Sequence, residues 1–346
     1  MRKLFDTTLG DGIVTSLFIT SSPASIKERM EKLDSFIIVA DENTLCYSPF
    51  PEKTLVLESG EDHKTMESLE RILTFALSSG LGRDSFFVAL GGGVVCDMTA
   101  LAASLYMRGC RLILCPTTLL CMVDATLGGK TAIDYMGTKN LIGSFYPADE
   151  VIIPAYTLSS LPESEFMSGM GEVVKHALLS SDNDLYDFLI ESRDRILDKD
   201  NTALERLLEL SLLVKKDYIE RDPKETKGIR SVLNFGHTFG HALESVTNYT
   251  VSHGLAVVWG MKKALTAGLL LNITPQDFYL WSVNLIASFP FESSFKVDRK
   301  DYTAFLEATK KDKKKKGGRT NFVLLKERGE AVLRPLEDDQ ILALLV

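Results

Sequence analysis

The sequence is poor in cysteine and histidine, with five of each among 346 residues. The odd number of cysteines and the lack of a C-x-x-C pair fit reduced thiols and disfavour a disulfide framework. No apolar run is long and unbroken enough to span a bilayer, and Asp6 and Asp11 interrupt the N-terminal stretch where a signal peptide would need an apolar core. The net charge of -8 argues against general nucleic-acid affinity. We therefore expect a cytoplasmic protein.

The order of apolar runs indicates an α/β protein. Residues 35–40, 54–57 and 85–90 are strand-like runs, and residues 64–79 carry apolar side chains at helical spacing. This rhythm predicts parallel strands joined by crossover helices. From about residue 160 to 271 the pattern is almost entirely helical. We predict a parallel-sheet domain over 1–158 and a mainly helical domain over 159–346.

Three consecutive glycines, Gly91 to Gly93, follow one predicted strand and open a helix. Glycine lets the backbone approach a phosphate closely, and a helix N-terminus offers free N–H groups. The alternative is a tight turn that binds nothing. Asp41 ends an earlier strand, where a ribose-hydroxyl acceptor would lie, although it could equally cap a turn. Together these features suggest a dinucleotide.

Polar residues are dense between 108 and 140, where they alternate with apolar runs. Arg108, Lys130 and Lys139 could bind phosphate or carboxylate, while Asp124 and Asn140 could bind hydroxyls. The glycine that a P-loop needs upstream of Lys130 is missing, so we reject that motif. A polyhydroxylated anionic substrate is the better interpretation, and a solvated face is the alternative.

Three of the five histidines lie between residues 237 and 253. His237 and His241 are four apart and would share one face of a helix, and His253 follows a short polar segment. Imidazoles presented in this way are typical ligands of zinc or a similar divalent ion. The alternative is that they are surface or core residues. No cysteine follows Cys121, so a catalytic site with an open position is favoured over a structural one.

Glu172 lies in an apolar stretch that reads as a buried helix. A buried carboxylate needs a partner, and Glu172 with two histidines would form the ligand set of a catalytic zinc site. The alternative is an ion pair with Lys175 or an arginine. Arg230 and Asn234 precede His237 at helical spacing, so the three could face one pocket.

These motifs together resemble the 3-dehydroquinate synthase family. The resemblance follows the chain in order through the segments GGGVVCD, YMRG, PTTLL, VDATLGGKTA, KNLIGSFYP, LSSLPE, GEVVKHAL, LNFGHTFGHALE, HG and DKK.

The resemblance implies a Rossmann-like N-terminal domain, a helical C-terminal domain, bound NAD, one zinc or cobalt ion and a homodimer. It implies a lyase of the shikimate pathway that acts on 3-deoxy-D-arabino-heptulosonate 7-phosphate. Transient oxidation by NAD, β-elimination of phosphate, reduction and an intramolecular aldol closure would give 3-dehydroquinate. Two rival activities are another sugar-phosphate cyclase and an NAD- and metal-dependent polyol or glycerol-phosphate dehydrogenase.

The resemblance also assigns roles residue by residue. The metal ligands would be Glu172, His237 and His253, with His241 contacting substrate instead of the ion. Catalytic roles fall on Glu225, His241, Lys130, Lys215, Arg230 and Asn234. Substrate contacts fall on Arg108, Asp124, Lys130, Asn140, Lys215, Arg230, Asn234, His241, Lys313 and Lys314. NAD contacts fall on Asp41, Glu61, Lys64, Gly93, Val94, Val95, Cys96, Asp97, Thr117, Thr118, Lys130, Lys139, Thr157, Leu158, Ser159 and Ser160.

The chain departs from the family pattern at four places. Cys96 and Leu255 stand where the family usually has glycine and glutamate. The loop 134–138 lacks the usual Asn-His-Pro-Leu-Gly, and one extra residue separates Glu225 from Arg230.

Overall fold

The computed structural model describes residues 1–9, 12–292, 294–311 and 320–345. The chain divides into two compact units, Met1–Leu161 and Pro162–Val346. The first is built on a largely parallel sheet and the second is mainly helical. The predicted α/β fold class is therefore confirmed. The assignment of NAD binding to 1–158 and of metal and substrate binding to 159–346 stays a prediction.

The first unit contains both strands and crossover helices. Its strands are β1 (Arg2–Leu9), β2 (Ile13–Thr20), β3 (Phe36–Asp41), β4 (Thr54–Leu57), β5 (Phe86–Gly91), β6 (Arg111–Pro116), β7 (Lys130–Tyr135), β8 (Thr138–Phe145) and β9 (Glu150–Pro154). Its helices are α1 (Pro23–Met30), α2 (Met66–Ser78) and α3 (Gly93–Leu105).

Among the described residues, seven of these strands form one sheet in the order β1-β2-β9-β6-β5-β3-β4. In this order, all neighbouring strands from β2 through β9, β6, β5 and β3 to β4 are parallel. Strand β1 pairs antiparallel with β2. Every residue of β5 is buried, as expected of a parallel strand covered on both faces. One core cluster includes Ile38, Val88 and Ile113 from neighbouring strands, with Met30 of α1. The sheet brings the C-terminal ends of β3, β5 and β6 to one edge.

The remaining two strands of this unit, β7 and β8, pair separately as an antiparallel hairpin. The sequence pattern did not predict this hairpin. Most residues of β8 are exposed, so the strand lacks the buried alternation that makes a half-covered strand recognisable.

The second unit consists of helices and one hairpin. Its elements are α4 (Glu163–Leu179), α5 (Asp184–Glu191), α6 (Arg193–Leu197), α7 (Asn201–Arg221), α8 (His237–Val246), α9 (His253–Leu270), α10 (Gln276–Ala287), α11 (Tyr302–Lys311), β10 (Asn321–Glu327), β11 (Glu330–Pro335) and α12 (Asp338–Ala343). Helix α9 packs against α4, α8 and α10.

Glycines allow α4, α8 and α9 to cross at backbone contact. A methyl group at Gly254 of α9 would lie 1.8 Å from the carbonyl oxygen of Ser168 in α4. One at Gly171 would lie 2.6 Å from the Gly254 carbonyl oxygen, and one at Gly240 of α8 would lie 3.0 Å from that of Ala256. Two of these glycines immediately neighbour predicted metal ligands in the sequence, so the close crossings bring those ligands together.

Gly254→Ala should lower the free energy of unfolding by roughly 3 kcal/mol, because the added methyl group overpacks the α4–α9 crossing. Urea unfolding of purified protein would measure the change. Gly82→Ala is a suitable control, since a methyl group there would come no closer than 4.0 Å to its nearest neighbour, Ser85. Equal unfolding midpoints for the two variants would contradict the role of the crossing.

Candidate functional site

The glycine turn between β5 and α3 leaves room for an anion. A methyl group at Gly91 would lie 2.6 Å from Val95 Cβ, so a side chain is excluded there. At Gly93 the same test finds no described atom within 4 Å. No side chain of the described residues caps α3, and the first N–H groups of a helix have no acceptors within the helix. The turn can therefore bind a phosphate through its backbone.

Cys96 points away from this opening. Its thiol donates to the carbonyl oxygen of Gly91 at 3.6 Å, and the residue is buried. A hydrogen bond with Cys121 and burial both raise the pKa of Cys96 well above its usual value, so the thiol stays protonated. The Cys96 side chain, which stands where the family usually has glycine, therefore packs behind the turn. Only the backbone of Cys96 is available to a nucleotide.

Five of the residues predicted to bind NAD or substrate form one polar network beside the turn. Buried Lys64 donates through Nζ to Asp97 Oδ2 at 2.7 Å and to Asn140 Oδ1 at 2.6 Å. Glu61 Oε1 lies 4.0 Å from the Nζ atoms of both Lys64 and Lys139. Burial lowers the pKa of Lys64, but the carboxylates of Asp97 and Glu61 outweigh it and raise the pKa overall. Lys64 is therefore a permanent cation at this end of the sheet.

The loop 134–138, whose sequence differs from the family pattern, contains a residue of this network, Asp134, that was not identified from the sequence. Asp134 Oδ1 accepts from the backbone N–H of Asn140 at 2.7 Å, and the Asp134 N–H donates to the Lys64 carbonyl at 2.9 Å. Asn140 has a left-handed backbone, with φ of 52°. Asp134 thus fixes the strained residue whose side chain accepts from Lys64. The hairpin register, which was not predicted, was needed to find this contact.

Threonines line the ends of the neighbouring strands. The Thr117 N–H donates to the Gly91 carbonyl at 2.9 Å, and Thr157 Oγ1 donates to the Thr117 carbonyl at 3.1 Å. A methyl group at Gly92 would meet Thr118 Cγ2 at 3.3 Å. Thr117, Thr118 and Thr157 therefore gather around the glycine turn, as their predicted shared role requires.

The other predicted residues of the first unit lie on separate elements. Leu158 is buried, whereas Ser159 and Ser160 are exposed. Asp41 ends β3 and its Oδ1 accepts from Thr44 Oγ1 at 2.7 Å, so it does cap a turn. Lys130 begins β7 at the surface, half-buried Asp124 lies in the turn Cys121–Ala125, and Arg108 is exposed with φ of 66°.

In the second unit, three helices bring Glu172, His237 and His253 together. Glu172 Oε1 lies 3.6 Å from His237 Nε2 and 3.8 Å from His253 Nε2. Tetrahedral zinc with bonds of about 2.0–2.1 Å would separate its ligand atoms by about 3.3–3.4 Å. Fully buried Glu172 Oε1 has no hydrogen-bond partner among the described residues. The chemistry and spacing of these atoms fit one divalent ion.

The other carboxylate oxygen of Glu172 is occupied. Lys175, also fully buried, donates through Nζ to Glu172 Oε2. The ion pair considered from the sequence and the convergence with two histidines are therefore both present. Each uses one oxygen, so Lys175 compensates for the burial of the carboxylate at Oε2 while Oε1 faces the two histidines.

His241 lies beside these ligands on α8. Its ring centroid is 5.4 Å from that of His237 and 5.8 Å from that of His253. The helix does not extend back to Arg230, because Gly236 has φ of 82° and separates α8 from the 3-10 turn Arg230–Asn234. The helical spacing from Arg230 to His237 was therefore the wrong basis for placing these residues in one pocket.

A buried aspartate organises the loop that carries Glu225 and Arg230. Asp222 accepts from the N–H groups of Thr226 at 2.9 Å, Lys227 at 3.0 Å and Arg230 at 3.1 Å. Arg230 is buried, and its Nε lies 3.3 Å from Glu225 Oε1. Glu225 and Gly228 of this loop, which has one residue more than the family pattern, have positive φ. Asp222 was missed, because its partners become evident only once the loop is folded.

The remaining residues predicted to contact substrate in the second unit are Lys215, Asn234, Lys313 and Lys314. Lys215 is buried on α7, which packs against the 3-10 turn, and Asn234 is exposed at the end of that turn. Lys313 and Lys314 lie outside the described residues.

Comparison with known proteins agrees with the resemblance. Residues 54–168 match the family model "3-dehydroquinate synthase N-terminal" and residues 169–315 match "3-dehydroquinate synthase C-terminal". The chain belongs to the 3-dehydroquinate synthase family. The 3-dehydroquinate synthase of Francisella tularensis is 39% identical over 293 residues, covering 84% of this chain and 80% of the relative. That of Acidithiobacillus ferrooxidans is 40% identical over 287 residues, covering 82% and 77%.

Solved structures show how widely the fold of this 3-dehydroquinate synthase family member is shared. A 2-deoxy-scyllo-inosose synthase complexed with carbaglucose-6-phosphate, NAD+ and Co2+ superposes with a TM-score of 0.85 at 22% identity, covering 99% of this chain and 98% of that one. The 2-epi-5-epi-valiolone synthase of Streptomyces hygroscopicus, with NAD+ and Zn2+ bound, gives 0.82 at 21% identity and 95% coverage of both. None of the helices in the described part of the chain combines the length and the apolar character that spanning a lipid bilayer requires.

Asp222→Asn should lower the free energy of unfolding by roughly 1–3 kcal/mol at neutral pH, because three backbone N–H groups lose the charge of their buried acceptor. Burial raises the pKa of Asp222, but the N–H groups of Lys227, Arg230 and Thr226 outweigh it and lower the pKa overall. The stabilisation is therefore present above the ordinary carboxylate pKa of about 4 and is lost as the pH falls through the lower folded-state value.

Urea unfolding from neutral pH down to about pH 3 would follow the difference between wild type and Asp222→Asn, which should narrow toward acid. Asp217→Asn is the control, because Asp217 is an exposed carboxylate on α7 paired with Arg221. A constant difference across the pH range would contradict the assigned role of the Asp222 charge.

Proposed function

We propose that this chain is a 3-dehydroquinate synthase, which converts 3-deoxy-D-arabino-heptulosonate 7-phosphate to 3-dehydroquinate and phosphate. The match to both family models over residues 54–315 carries the proposal. The convergence of Glu172, His237 and His253 supports it, because this chemistry needs a divalent ion. The 2-deoxy-scyllo-inosose synthase and the 2-epi-5-epi-valiolone synthase of similar fold are only 21–22% identical to this chain. The two 3-dehydroquinate synthases described above are 39–40% identical to it.

In the proposed enzyme, Glu172, His237 and His253 hold one Zn²⁺ or Co²⁺ ion, which when bound would act as a Lewis acid on substrate hydroxyls. Glu172 supplies the negative ligand. Lys175 holds it in place through the second oxygen. His241, beside the ligands, can hold or move a proton at a ring nitrogen.

The first unit would bind NAD, which supplies a reversible hydride acceptor. The backbone N–H groups that open α3 bind the pyrophosphate, and Thr117, Thr118 and Thr157 shape the turn. The Lys64–Asp97 pair orients the adjoining polar groups, including Asn140, which is assigned to substrate.

Buried cations of the second unit would bind the anionic substrate. Arg230 and Lys215 are both almost fully buried, and burial strengthens their interaction with phosphate or carboxylate. Glu225, 3.3 Å from Arg230 Nε, would take the catalytic role that the resemblance assigns to it beside that anion. Arg108, Asp124, Lys130, Asn234 and the late lysines Lys313 and Lys314 keep the substrate roles that the resemblance assigns.

Purified protein given NAD and the heptulosonate phosphate should release phosphate without net NADH formation. A chelator should abolish the release, and Zn²⁺ or Co²⁺ should restore it. Sustained NADH formation with a simple polyol would instead favour the dehydrogenase alternative. Phosphate release only from a different phosphorylated ketose, or only from the aldose glucose 6-phosphate, would favour a different cyclase.

His253→Ala should reduce phosphate release by at least about 100-fold, because the ion loses a ligand. The fold should survive, since the His253 side chain is 32% exposed. Metal content after dialysis and the circular dichroism spectrum would separate these effects. Ser245→Ala, an exposed position on α8, is the control. A metal-replete variant with unchanged turnover would refute the ligand assignment.

We also propose the homodimer and the cytoplasmic location that the resemblance and the reduced cysteines suggest. A concentration of exposed apolar side chains supports a dimer. Leu141 and Phe145 share one face of β8 and are 54% and 52% exposed. Large apolar side chains exposed together on one strand face are typical of protein interfaces.

Phe145→Glu should shift the protein toward a monomer, because a charge placed in an apolar interface must be desolvated. Light scattering coupled to gel filtration would measure the mass. Leu333→Glu, at an exposed position of β11 in the other unit, is the control. An unchanged dimer mass in Phe145→Glu would exclude this surface.

A further inference from the structure

Glu244 is a nearly buried carboxylate to which neither the sequence analysis nor the family resemblance assigned a role. It lies on α8, the helix that carries His237 and His241, and is 7% exposed. Its Oε1 atom is 3.4 Å from His253 Nδ1. A carboxylate that loses this much water needs a compensating partner, and a ring nitrogen of His253 is one.

The two nitrogens of the His253 ring face different carboxylates. Nε2 lies 3.8 Å from Glu172 Oε1, whereas Nδ1 lies 3.4 Å from Glu244 Oε1. A neutral imidazole has one protonated nitrogen and one lone pair. If Nε2 uses its lone pair to bind an ion, the proton must be on Nδ1, from which it can be donated to Glu244. The geometry therefore couples the tautomer of His253 to Glu244.

The second histidine ligand is held in a comparable way. His237 Nδ1 lies 3.3 Å from the carbonyl oxygen of Phe235, while its Nε2 faces Glu172. Each ring thus has an oxygen acceptor at Nδ1 and the shared carboxylate near Nε2. The acceptor for His237 belongs to the backbone, so Glu244 is the one of the two that a substitution can remove.

We propose that Glu244 is a positioning residue that orients His253 and fixes its Nδ1–H tautomer for metal binding. The inference rests on the proposed metal site formed by Glu172, His237 and His253. An acceptor at the outer nitrogen of a metal-bound histidine increases the basicity of the ligand and limits rotation of the ring, and its loss typically weakens metal binding 10–100-fold.

A different role would be direct coordination. His241, Glu244 and His253 also have candidate ligand atoms within 4.8 Å of one another. An ion bound there would lie on the Nδ1 side of the His253 ring. It would be a second ion, besides the one bound at Glu172. The number of ions per chain therefore distinguishes a positioning residue from a ligand.

The test measures Zn²⁺ and Co²⁺ affinity by competition with a chromophoric chelator, without substrate or NAD. Wild type should bind one ion per chain. Glu244→Ala should bind it about 10–100-fold more weakly, with an altered visible spectrum of bound Co²⁺. Glu244→Gln, whose amide oxygen can still accept from Nδ1–H, should recover most of the affinity. Glu220→Ala, a surface carboxylate on α7, should match wild type.

Several results would overturn the inference. Unchanged affinity in Glu244→Ala would do so, as would a second ion in wild type that both Glu244 variants lose, because Glu244 would then be a ligand. If Glu244→Ala does not fold, a loss of metal affinity of about 10–100-fold in folded Glu244→Gln would show that the charge matters more than acceptor geometry and would overturn the tautomer argument. A wild type that binds no ion would instead refute the proposed metal site itself.

Discussion

The close crossing of α4 and α9 is the constraint on which the geometry of the proposed metal site depends. Packed helices are normally 8–10 Å apart, with the distance depending on their contact side chains. Gly171 and Gly254 remove side chains at the crossing, so the carbonyl oxygen of each helix reaches the other helix. Because Glu172 and His253 follow or precede these glycines directly, the crossing also sets the distance between their ligand atoms. Gly240 allows the same close contact between α8 and α9, which keeps His237 near Glu172 and His253.

Buried charged side chains are paired with polar partners in a similar way in both units. Lys175 and the two histidines share the carboxylate of Glu172, whereas Asp97 and Asn140 share the ammonium group of Lys64. Removing water from ions is costly unless partners replace it, so these pairs contribute less to stability than to orienting the groups that they join. Asp222 applies the principle to backbone N–H groups, which it gathers into the loop that carries Glu225 and Arg230. Groups with such unfavourable desolvation cluster at functional sites.

The fold alone does not select the reaction. Cyclases with other names share nearly the whole architecture at 21–22% identity, and a probable glycerol dehydrogenase still superposes with a TM-score of 0.65. An architecture of this kind accommodates several chemistries through residues at its sites. The stronger argument for the proposed reaction is therefore the sequence similarity to synthases across both units, together with the ligand set that the helices assemble.

The sequence by itself determined the local elements and the kinds of chemistry. The apolar runs of β3, β4 and β5 and the glycines before α3 were readable because a parallel strand and a phosphate-binding turn depend on near neighbours in the chain. The proposed metal ligands were assigned by resemblance, and their candidate ligand atoms lie close together in the structure. Only the tertiary structure decided the β7–β8 hairpin, the break at Gly236, and the partners of Asp134, Asp222 and Glu244. Strand register, helix crossings and the loss of water around a carboxylate arise when the folded chain brings segments together, so local sequence patterns did not specify them.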